Sequence, residues 1–219
     1  MSFLRIFNRK KVKPLPQKNL DEVKRVCRVL FIDDEKFKMV DRLRKDDGWQ
    51  NTSWLKDVDS IYQTELRDAH VVFVDVQGVG KKLGFQDEGL GLIVAIRKQY
   101  PNKKIVMYSA ERNEKIDAFH EAASMVDARL KKLSDRYYYE SILEKVAMDA
   151  FSLESCISRL KSELYNHYGI SMSDQEIETN LMKINTEDRI SLDKVSRVFN
   201  LQNAESLLNI IQFFLSINK

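Results

Sequence analysis

Along residues 28 to 132 short apolar runs alternate with segments whose apolar residues recur at helical spacing. Arg28 to Ile32 (RVLFI) is rich in β-formers and ends on Asp33 and Asp34. Phe37, Val40 and Leu43 then fall on one helix face, stopped near Gly48. Asn51 to Val58 reads as a weaker strand and Ile61 to Arg67 as a short helix. His70 to Val76 is a run of Val and Phe that carries Asp75 and leads to glycines, the pattern of a buried strand. Leu90 to Arg97 predicts a helix halted by Pro101, because the residue before proline disfavours helical geometry. Lys104 to Tyr108 predicts a strand ending in Ser109, Asn113 to Ala123 a helix, and Met125 to Leu130 a last strand followed by Lys131 and Lys132. The next helix opens near Ser134 or Asp135, both good N-caps.

Strands alternating with helices in this way predict an α/β fold, a five-stranded parallel sheet covered on both faces. Right-handed crossovers place every strand's C-terminal tip on one edge, where ligands of such sheets bind. That edge collects Asp33, Asp34, Asp75, Ser109 and Lys132.

Composition adds boundaries. At 219 residues the chain can hold one sizeable core and a small second domain, with the apolar and charged fractions of a globular protein. Its two cysteines, Cys27 and Cys156, form neither a metal cluster nor a disulfide framework and fit a reducing, cytoplasmic setting. No window is long and apolar enough for a transmembrane helix, and the first residues lack a signal peptide's apolar core. The net charge of +3 is concentrated at the start, where nine Lys and Arg up to Arg28 face only Asp21 and Glu22. Residues 1–27 therefore read as a basic tail. Phe3, Leu4, Ile6 and Phe7 before Arg9, Lys10 and Lys11 give it the makings of a weak membrane-surface contact, against the commoner outcome of a solvated tail.

The chemistry is in the edge residues. Converging carboxylates repel one another unless a cation joins them, and an all-oxygen set suits Mg²⁺. With a hydroxyl and a lysine alongside, such a cluster is equipped for phosphoryl transfer to a carboxylate. No Cys or Ser/His arrangement argues for acyl transfer instead.

These residues stand in LFIDDE, VVFVDV, KIVMYSA and DARLKKLSD, in that order and each at a strand end, and the run from about 28 to 151 resembles the receiver domain of two-component response regulators. The resemblance implies a flavodoxin-like fold in which Asp75 accepts a phosphoryl group from a partner histidine kinase or phosphotransfer protein. It implies Mg²⁺ held by Asp33, Asp34, Asp75 and the backbone carbonyl of Gln77, with Ser109 and Lys132 on phosphoryl oxygens and small Ala110 leaving room. A receiver catalyses only its own phosphorylation and dephosphorylation. Three features depart from the pattern. Leu133 follows Lys132 where the family has proline, which makes Lys131 a competitor for the lysine role, although the register favours Lys132. Arg129 stands where an aromatic switch residue is common. The loop from Asp75 to Gly89 is longer than usual and holds Gly80, Lys81, Lys82 and Gly84. It lacks the GxxxxGK[ST] spacing and no helical pattern begins at its lysines, so it reads as a lid, a docking surface or a plain insertion rather than a nucleotide site.

Tyr139, Leu143, Val146, Ala150, Leu153, Ile157, Leu160, Leu164 and His167 are spaced alternately by four and three. That seam predicts one helix from about 135 to 168, about 50 Å long, pairing two protomers as a homodimeric coiled coil. The alternative is a break near Ser152 and a separate helix in a bundle. Residues 152–219 read as a helical output module: Ser173 and Glu176 form a capping box for a helix through Lys183, with further helices over 190–199 and 204–217. A calcium loop around Asn185 is rejected for want of its Gly and terminal Glu. The last helices could be taken for a helix-turn-helix, but AESLLNIIQFF has no cation, and residues 151 to 219 hold seven positive against nine negative side chains. The resulting expectation is a phosphorylation-controlled regulator whose output is association with another protein. A transcription factor with an atypical DNA-binding module is the alternative, and a pseudo-receiver scaffold a third.

Overall fold

The computed structural model describes residues 14–36, 38–110, 121–186 and 189–215. These fall into two compact units, residues 18–152 and a second built from 153 onward together with the segment up to Gln17.

In the larger unit the strands are β1 (Arg28–Ile32), β2 (Asn51–Leu55), β3 (Val71–Asp75), β4 (Lys104–Ser109) and β5 (Ala128–Lys131). All four pairings are parallel, in the order β2-β1-β3-β4-β5. That is the flavodoxin-like order, in which the reversal of winding between β1 and β3 opens a crevice at the strands' C-terminal ends. The helices are α1 (Leu20–Val26), α2 (Lys38–Lys45), α3 (Thr64–Asp68), α4 (Glu88–Gln99) and α5 (Arg136–Ala150). β3 is buried along its whole length, as a central strand covered on both faces must be. Period-two alternation sends Leu30, Ile32, Val72, Val74, Ile105 and Met107 into one core with Leu66, Leu92, Ile93 and Ile96. The opposite face stacks Phe31 on Phe73 at 4.3 Å and sets Tyr108 and Tyr139 against them.

The basic tail expected over 1–27 is corrected at its end. Asn19 caps α1 through a reciprocal capping box with Glu22, and Val23 and Cys27 are fully buried. Lys24 does not join a solvated charge run, because it bonds Glu140 at 2.9 Å and Glu144 at 3.1 Å on α5. Burial pushes the Cys27 thiol up to about 12, so it is no nucleophile near neutral pH. The membrane-contact segment and most of the helix expected over 113–123 lie outside the described residues; Glu121–Ser124 is a 3-10 turn.

The continuous helix expected over 135–168 is divided. α5 ends at Ala150, Phe151 and Ser152 turn, and α6 (Leu153–Tyr168) begins afresh. Phe151 stops the helix because its ring is drawn into the first unit, meeting His70 edge-on at 5.2 Å under the Lys18 ammonium at 4.7 Å. The seam proposed for a coiled coil is spent inside the chain. Tyr139, Leu143, Val146 and Ala150 are buried in the first unit, and Ile157, Leu160 and Leu164 in the core of the second.

The second unit packs α6 with α7 (Asp174–Ile184), α8 (Leu192–Phe199) and α9 (Glu205–Leu215). Ser173 and Glu176 form the expected capping box, and Asn200 closes α8 in the left-handed conformation. Leu15 packs on this core and Asn185 Nδ2 donates to the Pro14 carbonyl at 3.0 Å, so the segment before α1 belongs to the helical unit. Among the described residues no helix is long and apolar enough to cross a membrane.

Candidate phosphoacceptor and cation site

Period-two alternation also assembles the site. Asp33 follows Phe31, Asp75 follows Phe73 and Tyr108 follows Val106 on the same face of the sheet, and Lys132 lies two positions beyond Leu130, the partner of Tyr108 in β5. Backbone bonds carry the pairing past the strand ends: Asp33 N donates to the Leu55 carbonyl, Val76 N to Tyr108 and Lys132 N to Ser109. The carboxylates are thus delivered on rigid backbone rather than on loose loops.

One oxygen from each of Asp33, Asp34 and Asp75 lies within 4.8 Å of the others. Octahedral oxygen ligands on Mg²⁺ are about 3 to 4 Å apart, so small rotations of exposed Asp34 suit this set to the ion. Asp33 is fully buried and Asp75 nearly so, a placement carboxylates tolerate only with charged or hydrogen-bonding partners. Lys132 supplies them, its Nζ 2.7 Å from Asp75 Oδ2 and 3.0 Å from Asp33 Oδ1. The Glu35 amide donates to Asp33 Oδ1 at 3.0 Å, the Tyr108 hydroxyl to Asp33 Oδ2 at 2.8 Å and Trp54 Nε1 to the Asp33 carbonyl at 2.8 Å.

Burial raises the Asp75 pKa above the ordinary carboxylate range, the bonded lysine pulls it back and the Asp33 charge raises it again. Burial also works to lower Lys132, but its hydrogen bonds to Asp75 and Asp33 and the charges of these acids outweigh it and leave the ammonium above its usual value. The cluster holds a charged lysine between two acids.

Lys131 lies in β5 opposite Ser109 and is exposed, while Lys132 reaches the acids. Ser109 is 1% exposed at the C-terminal end of β4, one residue past the partner of Asp75. Gln77 follows immediately, its amide donating to Asp75 Oδ1 at 3.3 Å. Leu133 is 90% exposed, and Arg129 donates from its guanidinium to the Ala123 carbonyl.

The long loop is ordered around a residue with no sequence signal. Buried Asp57 accepts from the amides of Val58 at 2.8 Å, Gly80 at 2.6 Å and Lys82 at 3.1 Å. Lys81 and Lys82 lie in a single 3-10 turn, Lys81–Leu83, paired with Glu88 and Asp59 respectively. The Gly78 amide and Lys81 together hold the Glu88 carboxyl below its ordinary pKa. Gly78 is required, since it has a φ of 81° and an added Cβ would sit 2.3 Å from the Asp34 carboxylate. At Gly89 a Cβ would fall 1.9 Å from the Asp75 carbonyl oxygen. Gly89→Ala is therefore expected to lower stability by about 3 kcal/mol, because the clash is with backbone that cannot rotate away. Urea denaturation measures it, and an unchanged midpoint would contradict the close approach.

No protein-family model matches the chain, and no curated protein matches it. Solved structures do. A response regulator from Thermotoga maritima is similar at 24% identity over 56% of this chain and 98% of that one, with a TM-score of 0.45. The receiver domain of NtrX from Brucella abortus is similar at 25% identity over 54% of this chain and 97% of its own, TM-score 0.44. Full-length FixJ from B. japonicum is similar at 13% identity over 88% of this chain and 91% of its own, TM-score 0.47.

Proposed function

We propose that the chain is a two-component response regulator that takes a phosphoryl group on Asp75 from a phosphohistidine of a partner kinase or phosphotransfer protein. The observation that carries this reading is Lys132, whose ammonium is shared at 2.7 and 3.0 Å by two buried acids, one of them at the tip of the central strand. An Asp75 oxygen would bond to phosphorus as the donor's P–N bond breaks and its electron pair leaves on the imidazole. Asp33, Asp34, Asp75 and the Gln77 carbonyl would hold Mg²⁺, which when bound neutralises charge on the transferring group. Lys132 would leave the carboxylate for a phosphoryl oxygen, and Ser109, at the end of β4, would donate to another.

The output assigned to the helical unit is association with another protein. α8 and α9 have the order of a helix-turn-helix, but α9 buries Leu207, Ile211, Phe214 and Leu215 and carries no Lys or Arg for phosphates. With seven of the nine seam residues buried in intrachain cores, a homodimer would have to use another surface.

Treatment with acetyl phosphate and Mg²⁺ followed by intact-mass spectrometry tests the receiver chemistry. Wild type is expected to gain one phosphoryl mass and Asp75→Asn none. A gain retained in Asp75→Asn, or absent from wild type, would reject the assignment.

A further inference from the structure

Asp33 is fully buried, yet both of its oxygens are already engaged by protein donors. On Oδ1 these are Lys132 and the Glu35 amide, and the lysine is the partner that phosphorylation would draw away. On Oδ2 it is the hydroxyl of Tyr108, at 2.8 Å. Tyr108 is itself fully buried, and its ring packs edge-on against Phe31, Phe73 and Tyr139 at 6.1, 6.3 and 6.4 Å. A phenol wedged among three rings cannot swing, so the position of its oxygen is set by packing. Tyr139, in the first turn of α5, sends its own hydroxyl to the carbonyls of Lys131 and Lys132 at 3.3 and 3.4 Å. One aromatic contact thus joins the group that orients Asp33 to the backbone that carries Lys132. Arg129 takes no part, being bonded to Ala123.

We infer that Tyr108 is a positioning residue of the cation site: its packed hydroxyl fixes the Asp33 carboxylate in the orientation that receives Mg²⁺. This rests on the reading of Asp33, Asp34 and Asp75 as the Mg²⁺ ligands. A carboxylate oxygen has room for a hydrogen bond and a cation together, and a fixed donor removes rotamers the ligand would otherwise lose on binding. Such outer partners commonly set metal affinity by tenfold or more.

Trp54 is a built-in probe, because its indole nitrogen donates to the Asp33 carbonyl. Tryptophan fluorescence titrated with MgCl₂ should saturate in wild type and not in Asp33→Asn. Tyr108→Phe, which keeps the ring and removes the donor, should weaken Mg²⁺ about tenfold, while Tyr139→Phe should stay within about twofold of wild type. An unchanged Mg²⁺ affinity in folded Tyr108→Phe overturns the inference and leaves the ligand assignment standing, whereas no saturation in wild type overturns both. Equal weakening in Tyr139→Phe also overturns it, since the loss would then follow removal of a hydroxyl bonded to the Lys131 and Lys132 carbonyls and would not be specific to the bond on Asp33 Oδ2. Should Tyr108→Phe fail to fold, the near-ultraviolet difference spectrum of Tyr139→Phe on adding Mg²⁺ decides. A tyrosine band supports the contact between phenol and ligand, and a flat spectrum rejects it.

Discussion

Lys132→Ala is expected to slow phosphorylation of Asp75 by acetyl phosphate by roughly 100- to 1,000-fold, the usual loss when one charged donor to a transferring group is removed from a water-poor site. The lysine also favours the ionised form of Asp75. Burial and the Asp33 charge both raise the Asp75 pKa, and the hydrogen bond and charge of Lys132 are the opposing influence. If Asp75 is the nucleophile, as proposed, it must react as the carboxylate, so the rate should rise with pH through the Asp75 pKa, and deleting Lys132 should carry that acid limb to higher pH. Lys132→Arg should restore part of the charge effect and little of the rate, because a planar guanidinium cannot hold two acids at one point as Nζ does. Stopped-flow or quench measurements across pH, at saturating Mg²⁺, give both numbers. A variant with a wild-type rate and an unmoved acid limb would remove Lys132 from the mechanism. Lys131→Ala is the internal control, since that side chain is exposed beside Ser109 in β5 and should leave both unchanged.

The sheet, and the side chains gathered at its edge as the candidate site, were legible because both obey a period of two. A run such as VLFID or VVFVD states in its own alternation which residues share a face, and strand ends in a parallel sheet share an edge. Tyr108 escaped the same logic because an aromatic in KIVMYS is indistinguishable from core filling until its hydroxyl is seen against Asp33. The seam from Tyr139 to His167 misled for a geometric reason. Over a few turns a repeat of 3.5 and a helix of 3.6 differ too little to separate one coiled-coil helix from two helices covering two cores. What separates them is Phe151, whose side chain turns inward and ends α5. Likewise the tail's positive charges concealed α1, whose Lys24 is matched by two glutamates more than a hundred residues away.

Asp57→Ala is expected to release the loop from 76 to 88 and to cost about 3 kcal/mol, the penalty for leaving buried amides without their charged acceptor. No pattern in the sequence marks this residue, because its partners are backbone groups. Two of the three belong to Gly80 and Lys82, far along the chain, and only the third to neighbouring Val58. The consequence reaches the site through a short path. Gly80 bonded to Asp57 and Gly78 bonded to Glu88 together fix the backbone that begins at Gln77, next to Asp75. A loop so tied is expected to act as a wall of the site rather than a hinged lid, and unlatching it should loosen the Gln77 carbonyl that the proposed Mg²⁺ set requires. Trypsin reads the event directly, since Lys81 and Lys82 sit in one short turn. Wild type should resist cleavage there, Asp57→Ala should be cut first at these lysines, and Asp57→Asn, which keeps one acceptor oxygen, should fall between. Urea midpoints in the same order, with weaker Mg²⁺ binding by Trp54 fluorescence, would complete the pattern. Rapid cutting of wild type at Lys81 and Lys82 would instead restore the lid.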